Sequence, residues 1–327
     1  MRTPTIPVLF AAGILMAMVG LACVAPGSRP TGQAPSASAA ASPGPGSPAA
    51  SGLATTGPTA SDVPAVLVGA GDIASCTSSG DEATSALLDG TTGTVFTAGD
   101  NVYDKGSAAE FSACYDPSWG RHRARTMPVP GNHDYGTPGA SGYFDYFGST
   151  AGDPAQGWYT TEVGAWRVYV LNSNCAAIGG CGAGSSQELW LRADLAANPN
   201  RCAMAIWHHP LFSSGEHGSS AATKALWEAL QDAGAEIVVN GHDHDYERFA
   251  PQAADGAPDP ATGIVEYVVG TGGRSHYAVT SAIANSVVRN DDTFGVIRFD
   301  LYPDRWSFTF VPVAGKTFTD AGSGTCH

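Results

Sequence analysis

The sequence predicts an α/β (α+β) domain made of two packed β-sheets flanked by helices. Three observations predict it. Short apolar runs alternate with helix-like stretches through the first half of the chain, and the last part is strand-rich. The polar motifs that look chemically active each sit just after an apolar run. Ligands in layered α/β folds bind at the carboxyl ends of strands, so this placement supports the same fold class.

In chain order, Val63 to Gly69 reads as a buried strand running into Asp72. A short helix follows over Glu82 to Leu88. Val95 to Ala98 is a second buried strand, ending at Asp100, and Thr126 to Val129 leads into Gly131. Trp158 to Glu162 and Trp166 to Asn172 pair as a hairpin around Val163-Gly164-Ala165. Ser185 or Ser186 caps a helix that continues through Leu195, because a serine hydroxyl satisfies an otherwise orphaned backbone N–H. Cys202 to Trp207 is a strand ending at His208. Ala221 to Asp232 is a helix stopped at Gly234, and Glu236 to Val239 is a strand ending at Gly241. Gly263 to Val269 is another strand. Phe294 to Leu301 and Trp306 to Val311 close the domain as a hairpin across residues 302–305.

The N-terminus reads differently. Residues 1–23 form a signal peptide, with Arg2 before a continuous apolar stretch from Ile6 to Leu21. That stretch is short for a membrane span, which needs about 20 residues. Gly20-Leu21-Ala22-Cys23 resembles a bacterial lipoprotein cleavage site with Cys23 as the lipidated residue, and ordinary signal cleavage nearby is the alternative. Residues 24–62 are Pro, Ala, Ser, Gly and Thr with almost no charge. They cannot bury enough apolar surface to offset chain entropy, so they read as a disordered tether. The folded domain is expected over residues 63–327. The expected location is extracytoplasmic, on the cell surface as a lipoprotein or secreted.

The formal net charge is −14, with no basic run. Nucleic-acid binding through phosphate contacts is therefore not expected. Membrane contact is expected only through a lipid anchor at Cys23. Of the seven cysteines, setting Cys23 aside leaves an even number, which in an exported chain reads as disulfides. The expected pairs are Cys175–Cys181, closing a Gly-rich loop, Cys76–Cys114, tying two loops near the site, and Cys202–Cys326 by elimination.

The chemistry lies in five blocks: Gly71-Asp72, Gly99-Asp100-Asn101-Val102-Tyr103, Gly131-Asn132-His133-Asp134, Trp207-His208-His209-Pro210 and Gly241-His242-Asp243-His244-Asp245-Tyr246-Glu247-Arg248. His242 and His244 are two residues apart, so in extended backbone both imidazoles reach one volume. A carboxylate can bridge two cations, and Asp100 is the bridging candidate. Asp72 and His244 would serve the first ion, and Asn132, His208 and His242 the second. Oxygen and imidazole donors suit iron, zinc or manganese. Two such cations activate a hydroxide and neutralise phosphoryl oxygens, which points to hydrolysis of a small-molecule phosphate ester.

The blocks resemble those of the calcineurin-like metallophosphoesterase superfamily and, within it, the purple acid phosphatases. The resemblance implies a four-layer αββα sandwich of two mixed β-sheets flanked by helices. Asp72-Ile73-Ala74 lacks the histidine usual in the first superfamily block, and in purple acid phosphatases a tyrosine three residues after the bridging aspartate takes that place. Tyr103 occupies that position. Gln187, Trp190, Leu191, Asp194 and Leu195 also resemble that family's helix pattern. The resemblance implies a binuclear centre, with Asp72, Asp100, Tyr103 and His244 on Fe(III), and Asp100, Asn132, His208 and His242 on divalent Zn, Fe or Mn. Two carboxylates, a phenolate and a bridging hydroxide would leave that ion pair a net charge of about +1, enough to hold a phosphate dianion in an acidic protein. By the same resemblance His133 is a substrate contact and proton donor and His217 is a second substrate contact; Asp134, adjacent to His133, is expected to orient its ring.

The implied activity is phosphomonoester hydrolysis by hydroxide attack, without a phosphoenzyme. A phosphodiesterase of the same superfamily and a non-catalytic surface binding module are the alternatives. His209 is a residue beside the ligands rather than one of them. His122, His276 and His327 are expected to be surface or structural. Tyr143, Phe144, Tyr146 and Phe147 are expected in the core, and Gly270-Thr271-Gly272-Gly273 is expected as a turn lining the site.

Overall fold

The computed structural model describes residues 63–199 and 202–327. The signal peptide, Cys23 and the tether of residues 24–62 lie outside the described residues. Among the described residues, fifteen strands and five α-helices are joined by short 3₁₀ turns and one π-helical turn.

The first sheet contains β1 (Ala65–Ala70), β3 (Thr94–Thr97), β5 (Thr126–Met127), β13 (Gly295–Leu301), β14 (Arg305–Pro312) and β15 (Ala321–Thr325), in the order β15-β14-β13-β1-β3-β5. β1 runs parallel to β3 and antiparallel to β13. The second sheet contains β6 (Tyr159–Val163), β7 (Trp166–Val170), β8 (Ala203–Ile206), β9 (Ile237–Asn240), β10 (Tyr246–Phe249), β11 (Val265–Val269) and β12 (Ser286–Asn290), in the order β12-β10-β11-β9-β8-β7-β6. Its centre is parallel and its margins antiparallel. A third pairing joins β2 (Ala74–Ser75) to β4 (Val102–Tyr103).

Alternation along the second sheet builds the layers. Successive side chains of a strand point to opposite faces. Val168, Val170, Met204, Ile206, Ile237 and Val239 enter the large core shared with the first sheet. Their neighbours Tyr169, Ala203, Ala205 and Val238 form a second core with Leu191 of α4 (Ser186–Ala197) and Leu226, Trp227 and Leu230 of α5 (Lys224–Asp232). Across the inter-sheet layer, Tyr267 meets Phe299 and Phe308 with ring centroids 5.3 and 4.9 Å apart, and Trp166 meets Trp306 at 5.8 Å. Helix α1 (Gly80–Asp89) packs near β13 on the first sheet. Helix, two mixed sheets and helices make the expected four layers.

Most expected elements form. Ser185 is the N-cap of α4, its hydroxyl accepting from the Glu188 N–H. The first turn of the expected 221–232 helix is 3₁₀, and α5 follows it. Tyr143, Phe144 and Phe147 are buried on α3 (Ser141–Phe147). The remaining strands, β2, β4, β10, β12 and β15, are short or carry no strong apolar alternation and went unforeseen. Three disulfides form between the expected partners, with Cα separations of 5.1 Å for Cys76–Cys114, 5.2 Å for Cys175–Cys181 and 5.4 Å for Cys202–Cys326. No described helix is long and apolar enough to cross a membrane.

Candidate metal centre

β1, β3, β8 and β9 all deliver their carboxyl ends to one place. Asp72 follows β1, Asp100 follows β3, His208 follows β8 and His242 follows β9. Three of these residues turn sharply. Asp72, Asp100 and His242 have φ of 60°, 49° and 76°. Non-glycine residues rarely adopt the left-handed region, and such strain concentrates where a side chain must be aimed. Flanking glycines permit the close approach. A Cβ on Gly131 would lie 2.1 Å from Asp100 Oδ1, and one on Gly99 2.4 Å from His208 Nδ1.

Two donor clusters result. In the first, the Tyr103 hydroxyl lies 2.8 Å from Asp72 Oδ1, 3.0 Å from Asp100 Oδ2 and 3.1 Å from His244 Nε2. One hydroxyl hydrogen cannot satisfy both carboxylate oxygens, whereas a cation can be shared by all of these groups. Asp72 and Asp100 are buried, as are Tyr103 and His244. Burial, then the Asp100 and Asp72 carboxylates, push the Tyr103 hydroxyl well above its usual pKa range. The cluster thus gathers two carboxylates, a phenol oxygen and an imidazole nitrogen in one buried volume, a donor set suited to a cation.

In the second cluster, His208 Nε2 lies 3.0 Å from Asn132 Oδ1, 3.4 Å from Asp100 Oδ2 and 3.3 Å from His242 Nδ1. His208 Nδ1 sits 2.8 Å from the Ala98 carbonyl oxygen and donates to it. In the neutral ring Nε2 therefore carries the lone pair, facing further lone pairs. Burial opposes charge on both Asp100 and His208. Their mutual attraction outweighs it, holding Asp100 below the usual carboxylate range and lifting His208 to about 9. Burial, then His208, depress His242 to about 2 and His209 to about 3. Asp100 Oδ2 belongs to both clusters. The donor set of carboxylate, phenol, amide oxygen and imidazole fits two cations of the kind expected.

The structure brings all seven expected ligand residues together. His133 and His217 stand at the rim. His133 Nδ1 bonds the Asp104 carbonyl oxygen at 2.6 Å, and its Nε2 is 4.0 Å from Asp100 Oδ2. The exposed His217 stacks on His242 at 4.5 Å and 28°. His209 packs on the His208 and His242 imidazoles, 4.9 and 4.4 Å away, with Nδ1 bonded to Ser173 Oγ.

Asp134 departs from its expected role. Its buried carboxylate does not bond the His133 ring. Oδ2 instead accepts from the Asn101 backbone N–H at 3.2 Å, the Asn101 side-chain amide at 2.9 Å and the Gly131 N–H at 2.8 Å. It braces the Asp100 and Asn132 loops against each other, and the Asp104 carbonyl orients His133. The two neighbours face opposite ways: His133 turns outward to the rim, while Asp134, which opens a 3₁₀ turn, points inward and is fully buried.

Sequence reasoning missed a third wall. Ser275 Oγ bonds His244 Nδ1 at 2.7 Å, fixing which nitrogen faces the cluster. The Tyr277 ring stacks on His244 at 4.0 Å and 12°. Arg274 lies over the Tyr103 ring, its Cζ 5.0 Å from the centroid. The Gly270–Gly273 turn holds this segment against the site. Gly272 N–H bonds the Gly71 carbonyl, and a Cβ on Gly270 would lie 2.9 Å from Asp72 Oδ2. No local motif marks residues 274–277, and only the glycine run hinted at them.

A family model described as calcineurin-like phosphoesterase matches residues 67–246, more than half of the chain. The chain belongs to that family. Its structure is similar to a purple acid phosphatase from yellow lupin (Lupinus luteus) seeds, with a TM-score of 0.65 and 17% identity over 81% of this chain and 55% of that one. It is also similar to a Plasmodium protein described as the anchor in the inner membrane complex, with a TM-score of 0.59 and 12% identity over 79% of this chain and 88% of that one. At these identities the likeness is one of fold. In sequence, an uncharacterized protein of Mycobacterium tuberculosis is 29% identical over 187 residues, 46% of this chain and 35% of that protein. The chain thus spans about a third of the length of the curated relative it matches.

Proposed function

We propose that this member of the family is an exported binuclear metallophosphatase that cleaves phosphomonoesters. The observation that carries the reading is the shared Asp100 Oδ2, 3.0 Å from the Tyr103 hydroxyl and 3.4 Å from His208 Nε2. It joins two complete donor sets into one site. In this reading Asp72, Asp100, Tyr103 and His244 hold Fe(III), and Asp100, Asn132, His208 and His242 hold divalent Zn, Fe or Mn. When bound, the ions would neutralise the phosphoryl oxygens and supply a nucleophile from water.

The chain's own residues do the rest. His133 donates Nδ1–H to the Asp104 carbonyl, so Nε2 is the atom that exchanges a proton with a departing alkoxide. His217, on the outer face of His242, contacts the ester. His209 and Ser173 hold His242 from its other side. Three disulfides support export, since such bonds persist in oxidising compartments. The same reading keeps residues 1–23 as a signal peptide, Cys23 as a lipid anchor, residues 24–62 as a tether and residues 63–327 as the catalytic domain.

The test is hydrolysis of 4-nitrophenyl phosphate against its bis ester by metal-loaded protein. Faster monoester cleavage is expected. Faster diester cleavage would overturn the phosphomonoesterase assignment and redirect it to nucleotide or lipid diesters. No cleavage of either would sink the enzyme reading.

A further inference from the structure

The proposed mechanism uses no arginine, yet one stands at the rim. Arg274 belongs to the loop after β11, beyond the residues the family model matches. Its backbone N–H bonds the Asp72 carbonyl oxygen at 3.0 Å, so its place is fixed by a ligand loop. Its guanidinium covers the Tyr103 ring at 5.0 Å, the same ring that His133 approaches at 4.4 Å. Both groups also bond Asp104, His133 through its carbonyl oxygen and Arg274 through its carboxylate, so the guanidinium belongs to the same segment of the rim as His133.

Its present partner is weak. Arg274 Nη2 pairs with Asp104 Oδ1 at 3.1 Å, but the Asp104 side chain is 72% exposed. An ion pair so open to water contributes little and exchanges readily. The Arg274 side chain is 29% exposed, and its guanidinium carries a permanent charge and a planar fork matched to a phosphate or carboxylate. The rim otherwise carries the carboxylates of Asp104 and the exposed Glu216, on a chain of net charge −14. Without a cation there, a leaving group bearing its own negative charge would be repelled.

We infer that Arg274 is a specificity-determining residue that binds a second anionic group, a phosphate or a carboxylate, on the leaving-group side of the substrate. The inference rests on the proposed phosphatase reading. It makes doubly anionic phospho compounds better ligands than neutral esters of the same size. Asp104 holds the guanidinium until such a group displaces it.

The test is calorimetric binding to metal-loaded protein, independent of turnover. The probes are methylphosphonate, with one anionic group, and methylenediphosphonate and phosphonoacetate, whose second groups are a phosphonate and a carboxylate. Arg274→Gln should weaken at least one two-group probe by tenfold or more, on the scale of a lost charge-assisted pair. It should weaken methylphosphonate less than about threefold. The probe that loses more names the second group. Arg274→Lys should restore part of the loss, because the charge returns without the fork. Asp104→Asn should tighten the two-group probe, since the competing carboxylate is gone, an effect that a merely structural arginine would not give. Equal losses for all three probes, or none, would overturn the inference and leave the phosphatase reading standing. Failure of the wild-type protein to bind even methylphosphonate would sink both.

Discussion

Asp134 gives the sharpest test of how the ligand loops are held. Asp134→Ala removes one oxygen that accepts three hydrogen bonds, from the Asn101 N–H, the Asn101 amide and the Gly131 N–H. The site is fully buried, and each donor left unpaired there costs about 1–3 kcal/mol. Water entering the new space recovers part of this, so the expected loss is about 3–5 kcal/mol. Asp134→Asn separates bracing from charge. Its amide oxygen can replace Oδ2, and its NH₂ falls at Oδ1, which has no partner. The NH₂ is then an unpaired buried donor, so the expected cost is about 1–3 kcal/mol, less than for the alanine variant. Urea unfolding of the metal-free protein measures both, with 4-nitrophenyl phosphate turnover alongside. A loss under about 1 kcal/mol in the alanine variant would refute the bracing argument. So would an asparagine variant that folds normally but has no turnover, because that result would restore the ring-orienting role.

Three further outcomes are expected. Asp100→Ala should abolish stoichiometric binding of both metals together with turnover, as read by elemental analysis, because Asp100 Oδ2 belongs to both clusters. Ser275→Ala should lower metal affinity by about 10–100-fold with little change in fold, since it frees His244 Nδ1; competition with a chelator measures it. Glu236, buried with one oxygen bonded to the Ala203 N–H and the other unpartnered, has its pKa raised by burial from 4.5 to about 7. A carboxyl with a raised folded pKa binds protons more tightly when folded, so its contribution is full below about pH 4.5 and is lost as pH rises to about 7. Glu236→Gln should therefore stabilise the protein at pH 8 by up to about 3 kcal/mol and flatten the stability profile between those limits. An unchanged profile in urea titrations across that range would contradict it.

The candidate donors that the structure gathers were legible in the sequence because each stands within a few residues of a strand end. Asp72, Asp100, His208 and His242 follow apolar runs, and a strand's end is a local property of the chain. The same locality made the β6–β7 hairpin, the Ser185 cap and the Cys175–Cys181 loop readable. Asp134 misled because it is adjacent to His133 in sequence. Adjacency says nothing about direction, and a 3₁₀ turn sends the two side chains apart.

What the sequence by itself determined is the family-level chemistry: a phosphoesterase donor set of carboxylate, phenol, amide and imidazole groups able to hold metal, on an acidic domain stapled by disulfides. Only the tertiary structure decided how these donors are held and what surrounds them. Ser275, Tyr277 and Arg274 reach the site from a loop some 170 residues after Tyr103, between strands β11 and β12. Their roles come from a backbone hydrogen bond to Asp72 and a glycine turn laid against Gly71. Such contacts depend on how two sheets pack across the molecule, and that packing is a property of the whole fold, which no local pattern of residues records.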